Sequence, residues 1–163
     1  MKSSKITQCA ILSALAIVFG YIEMLIPLPV ALPGVKWGLG NIVVLVAIYI
    51  LGKKSAFFIM LIKVITSSLL FSAPSVFIYS LFGGIFSFIL MTVLKKYNFH
   101  IITVSIGGGI FHNIGQILCA SIMMRTITVF SYLPILVLCG AVSAVVTGIC
   151  ADLIMKRIKK GMV

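Results

Sequence analysis

The chain has 163 residues, 62% of them hydrophobic and 9% charged, with a mean hydropathy of +1.30 and a net charge of +11. A water-soluble domain of that size needs a far more polar surface, so the composition excludes one and indicates α-helices that span a bilayer. With Glu23 and Asp152 as its entire acidic complement, the chain also lacks the clustered carboxylates that magnesium-dependent diphosphate chemistry requires.

The first apolar run predicts a span over 6–26. Lys2 and Lys5 precede it, and Ala14-Leu15-Ala16 has the look of a signal cleavage site. The run continues to Ile26, however, which reads as an uncleaved first helix. Ala10 and Ala14 form a ridge of small side chains on this helix, and Glu23 lies on nearly the opposite side. One face can therefore meet another helix closely while the other addresses a ligand. The following segment turns at Pro33-Gly34 and carries Lys36 and the single tryptophan, Trp37. Either it covers an outward-facing mouth, or Lys36 and Trp37 anchor the chain at headgroup level.

A second span is expected over 38–52, with Asn41 near its start. It is short for a bilayer, so it borrows residues from the preceding loop or sits beside a locally thin region. Lys53-Lys54 make a tight turn into a third span, 55–72. At its centre is Lys63, where an unpaired cation costs on the order of 3 kcal/mol. Thr66 and Ser67 share its face. The fourth span, 76–94, ends at Lys95-Lys96. The fifth, 100–124, contains "HNIGQ", in which His112 and Gln116 share a face, Asn113 adjoins them and Gly108 leaves room one turn earlier. Arg125 marks its end. The sixth, 133–155, holds Asp152 at i, i+4 spacing from Lys156, a structural pair. Gly140, Ala144 and Gly148 form a ridge suited to internal packing.

The basic residues set the orientation. Every cluster falls on one face of the membrane if the chain crosses six times with both termini cytoplasmic, and the other face keeps only Lys36 and Arg125. The whole of 1–163 then forms one all-α, six-helix transmembrane domain. No polar segment interleaves basic and aromatic residues, so the charge does not indicate nucleic acid. Cys9, Cys119, Cys139 and Cys150 all lie in apolar runs and read as small buried hydrophobes. There is no Walker loop, and Gly38-Leu39-Gly40 and Gly107-Gly108-Gly109 do not complete a dinucleotide fingerprint. With His100 as the only histidine besides His112, no metal site is expected, nor any cofactor on this chain. The residues suit binding and not catalysis. For Glu23, Lys63 and the HNIGQ group, ligand contact and structural pairing are both open.

Six short spans, basic cytoplasmic ends and the Ala-x-x-x-Ala of the first helix together resemble the substrate-binding S components of energy-coupling factor (ECF) transporters. "PGVKWGLGN" (Pro33 to Asn41) and "HNIGQ" (His112 to Gln116) are similar to the Gx transporter family, also labelled heptaprenyl diphosphate synthase component I. Trp37 stands where that pattern has an aliphatic residue. The resemblance implies an importer subunit in the cell membrane whose outward pocket is covered by the first loop. Its partners would be a transmembrane coupling subunit, docked on Ala10 and Ala14, and two ATPase subunits. From the polar residues themselves and the two motifs together, the expected ligand contacts are Glu23, Lys36, Trp37, Asn41, Lys63, Ser67, His112, Asn113, Gln116 and Arg125. The excess of cations among them suits a small molecule with an anionic or carbonyl-rich head, such as a vitamin, flavin, quinone or isoprenoid precursor. The family's second label implies the alternative, a non-catalytic membrane component of heptaprenyl diphosphate synthase in isoprenoid or menaquinone synthesis.

Overall fold

The computed structural model describes residues 2–26, 38–71 and 74–160. Among them are six α-helices, α1 (Lys2–Leu25), α2 (Leu39–Ile50), α3 (Lys53–Phe71), α4 (Pro74–Lys96), α5 (Ile101–Met124) and α6 (Leu133–Lys160), with a 3-10 turn over Thr128–Tyr132. Their bounds follow the expected spans within a few residues, because an apolar segment in hydrocarbon has to close its backbone hydrogen bonds within itself. At the end of α6 the helix runs past the apolar stretch, supported by Lys156 Nζ donating to Asp152 Oδ2 at 2.7 Å. His100 Nε2 stands 4.0 Å from the other oxygen of the same carboxylate.

Among the described residues, four stretches, Ser3–Leu25, Val76–Lys96, Ile101–Met124 and Thr128–Ile158, are long and apolar enough to cross a membrane. Of the other helices, α2 is shorter and α3 carries Lys53, Lys54 and Lys63. Large apolar side chains cover the outside of the bundle: Leu69 is 73% exposed, Ile122 71% and Ile6 70%. Such a surface is stable against lipid and not against water, so the fold is that of a membrane protein.

The most continuously buried helix is α2. Its residues Ile42 to Ile48 are all buried in succession, the mark of a helix surrounded on every side. It packs between α3 and α6, and α3 packs on α4, α4 on α5 and α5 on α6, so that α2 to α6 form a closed ring. On the outside α1 lies against α2 and α3. The α4–α5 and α5–α6 contacts are close because glycines meet backbone. A Cβ on Gly115 would lie 2.9 Å from Phe82 O, and one on Gly109 would lie 2.9 Å from Gly140 O. Ser105 Oγ donates to Ala144 O at 2.8 Å beside Thr147, which joins α5 to the Gly140–Ala144–Gly148 ridge as its spacing suggested.

The short α2 has 12 residues, a length of about 18 Å. Its first turn lies beside Lys63, midway along α3, and beside Thr147, midway along α6. Its last turn reaches the C-terminal end of α4, where Lys95 Nζ donates to Ile48 O at 2.5 Å. Thus α2 begins in the interior of the bundle and runs to one end of it.

Candidate functional site

The start of α2 gathers polar groups from three helices. A helix that begins inside an apolar bundle brings its orphan amides and positive dipole end with it, and these need partners there. Gly38 takes a left-handed backbone (φ 74°) that a side chain disfavours, and this turns its amide toward α1. There Gly38 N donates to Glu23 Oε1 at 2.6 Å. The one carboxylate of α1 therefore sits at the positive end of α2.

From the other side comes Lys63. Its Nζ donates to Asn41 Oδ1 at 2.6 Å. The lysine stem crosses Gly40 so closely that a Cβ there would lie 2.7 Å from Lys63 Cε and 3.2 Å from Ala16 O. Glycine at 40 thus lets the ammonium reach the first turn of α2 while α1 stays in contact. One turn along α3, Ser67 packs on Gly20 of α1, and its buried Oγ has no hydrogen-bond partner among the described residues. Glu23, Asn41, Lys63 and Ser67, expected as ligand contacts, are thus brought together. Lys36 and Trp37, and the loop thought to cover the mouth, lie outside the described residues.

His112 and Gln116 form a second group. Both face α4 at Gly83, where a Cβ would lie 2.8 Å from Gln116 Cγ and 3.1 Å from His112 Cε1. Gln116 is 7% exposed, and its Oε1 has no hydrogen-bond partner among the described residues. The room beside them comes from Gly83 and not from Gly108, which is filled by Met91 and Ser87. Asn113 turns the other way. Its Nδ2 donates to Leu136 O of α6 at 2.6 Å and presses on Gly140, so this amide ties two helices together. Arg125 is an exposed residue with left-handed backbone (φ 48°) that ends α5.

Sequence reasoning noted Gly38 and Gly40 but passed over Gly83. Gly38, Gly40 and Gly83 bring the polar groups within reach, and the one available signal was Gly38-x-Gly40 immediately before Asn41. Chemically the arrangement can hold a polar head: a carboxylate, an ammonium, an amide and a helix N-terminus converge, and buried polar atoms without partners are the atoms a ligand satisfies. Ala10 and Ala14 are exposed on the outer side of α1, whereas Ser13 and Ala16 are buried against the bundle.

Residues 12–154 match the model of a protein family described as heptaprenyl diphosphate synthase component I. No curated protein and no solved structure matches the chain. The match runs from α1 through nearly all of α6 and takes in every described polar group of the site. The chain belongs to the heptaprenyl diphosphate synthase component I family.

Proposed function

We propose that this chain is the membrane-embedded substrate-binding subunit of an ECF-type importer, crossing the membrane six times with both termini cytoplasmic. The observation that carries this reading is the convergence of Glu23, Asn41 and Lys63 on the first turn of α2, inside the bundle. A half-length helix that starts at mid-depth and points its amides into a polar cluster is the arrangement membrane carriers use to hold a charged substrate group. A small molecule with an anionic or carbonyl-rich head fits there, and the loop bearing Lys36 and Trp37 closes over it. His112 and Gln116 contact the rest of the ligand. The exposed Ala10 and Ala14 meet the coupling subunit, whose two ATPases drive delivery to the cytoplasm. Nothing in this reading requires the chain to catalyse a reaction.

Purification from native membranes tests it. The expected result is recovery of a coupling subunit and ATPases, together with a bound small molecule identified by native mass spectrometry. The Ala10→Leu/Ala14→Leu variant keeps the ligand and loses the partners.

The words of the family description are the ground for a second reading, in which the chain is a non-catalytic membrane component of heptaprenyl diphosphate synthase. That reading forecasts association with a soluble, carboxylate-bearing prenyltransferase and a change in its product chain length. Finding this association, with no coupling subunit or ATPase, would replace the transport reading.

A further inference from the structure

The ends of α2, α3 and α4 opposite the Glu23 cluster meet around a cleft of about 400 Å³ lined by Ile48, Lys53, Thr92, Val93, Lys95 and Lys96. Three lysines and no acid face this space. Lys95 is fixed in its wall: Nζ donates to Ile48 O at 2.5 Å and lies 4.9 Å over the Tyr49 ring. One of its three ammonium hydrogens is used in that bond, and the charge offsets the negative end of α2. Lys53 opens α3, so the orphan amides and positive dipole end of that helix stand beside the same cleft. Gly52, just before it, has open space around it: a Cβ there would meet nothing within 4 Å.

An apolar track leaves the cleft along α4. Val93 lines the cleft and is exposed, and Ile89, Phe82 and Ile78 continue the exposed stripe on the same helix face. Charge bias at cytoplasmic ends explains why lysines stand here. It does not explain why three of them line one open cleft, one of them hydrogen-bonded into its wall, with an exposed apolar stripe leading away from it.

We propose that this cleft holds the phosphate headgroup of an anionic membrane lipid, with a hydrocarbon chain laid along the Val93–Ile89–Phe82–Ile78 stripe. Lys53 and Lys96 contact the phosphate, Lys95 shapes the wall, and the α3 amides supply uncharged donors. The lipid ties the inner ends of α2, α3 and α4 together, independently of whatever the Glu23 cluster binds.

The test uses the full chain in nanodiscs of phosphatidylcholine containing a minor fraction of phosphatidylglycerol, with retained lipid read by native mass spectrometry. The wild type retains phosphatidylglycerol in preference to phosphatidylcholine. Lys53→Gln and Lys96→Gln each reduce that preference about fivefold. These two side chains are exposed, so the variants fold, and matched thermal melts verify it. The Lys156→Gln/Arg157→Gln/Lys160→Gln variant, altered elsewhere on the same side, retains the lipid as the wild type does. An equal loss in that variant would show general surface attraction and overturn the assignment. Displacement of phosphatidylglycerol by millimolar inorganic phosphate would show a soluble-anion site and overturn it as well.

Discussion

Lys63 reaches Asn41 across the α2–α3 interface at 2.6 Å, and it does so over a glycine. The contact places a cation at mid-depth beside a helix N-terminus whose amide at Gly38 is already held by Glu23. Opposite charges therefore meet the same helical turn from two neighbouring helices.

Lys63 and Asn41 should show mutual coupling. A hydrogen bond to a charged group contributes about 1.5–3 kcal/mol, and its loss strands whichever partner remains. A double-mutant cycle of Lys63→Met and Asn41→Ala, read by unfolding in mixed detergent, should give a coupling energy of at least about 1 kcal/mol. Strict additivity would show that the bond is not formed in the membrane.

Gly40→Ala should act through the same contact. The added methyl meets Lys63 Cε at 2.7 Å and Ala16 O at 3.2 Å, and the second of these is backbone. Alanine favours the helix by up to about 1 kcal/mol, so a purely local effect would stabilise. The expected outcome is the reverse, a lower thermal midpoint and weaker retention of the co-purifying ligand. An unchanged or raised midpoint would refute the close approach of α1, α2 and α3.

Asn113 and Gln116 should respond in opposite ways. Asn113 bonds Leu136 O between α5 and α6, so Asn113→Ala should cost about 1–2 kcal/mol of stability. Gln116 Oε1 is buried without a described partner, so Gln116→Leu keeps the volume and relieves a desolvated group. Its stability should hold or rise while ligand retention falls. Matching behaviour of the two variants would mean that both amides serve the same purpose.

The outer face of α1 should tolerate bulk that its inner face does not. Ala10 and Ala14 are exposed, and Ala16 is 0% exposed within the core. Leu at 10 and 14 should leave the melting point of the isolated protein unchanged, and Ala16→Leu should destabilise it by about 1–3 kcal/mol through overpacking. Loss of stability from the 10/14 pair would show that this face is already covered within the chain.

Orientation can be tested with an impermeant thiol reagent on intact cells, in a background lacking the four native cysteines. Cysteine at Lys54, Lys96 or Lys160 should stay unlabelled, and cysteine at the exposed Ser131 should label. Labelling at Lys54 or Lys96 would reverse the sidedness of the Glu23 cluster and of the basic cleft together.

Much of the helical framework was legible in the sequence because its causes are local. Each helix satisfies its own backbone in an apolar medium, so the apolar runs mark helix bounds to within a few residues. The Asp152–Lys156 pair and the shared face of His112 and Gln116 follow in the same way from 3.6 residues per turn. Periodicity also placed Ala10 and Ala14 away from Glu23, and the exposure of the two alanines agrees with it.

Which helix stands opposite each face is a matter of packing, and no periodicity encodes it. Nothing in the residues themselves says that Glu23 meets the Gly38 amide, because the two stand 15 residues apart and only the placement of α1 against α2 joins them. Asn113 and Gln116 lie close together in one motif, yet one bonds α6 and the other faces α4, since α5 is sandwiched between these helices. The short second run was recognisable as an unusual span, but its start beside Lys63 and Thr147 depends on glycines that let three helices approach. Composition determined that the chain lives in lipid, because burial of apolar surface is additive over residues. Tertiary structure decided which polar groups meet inside it, because a hydrogen bond needs both partners within about 3 Å and in line.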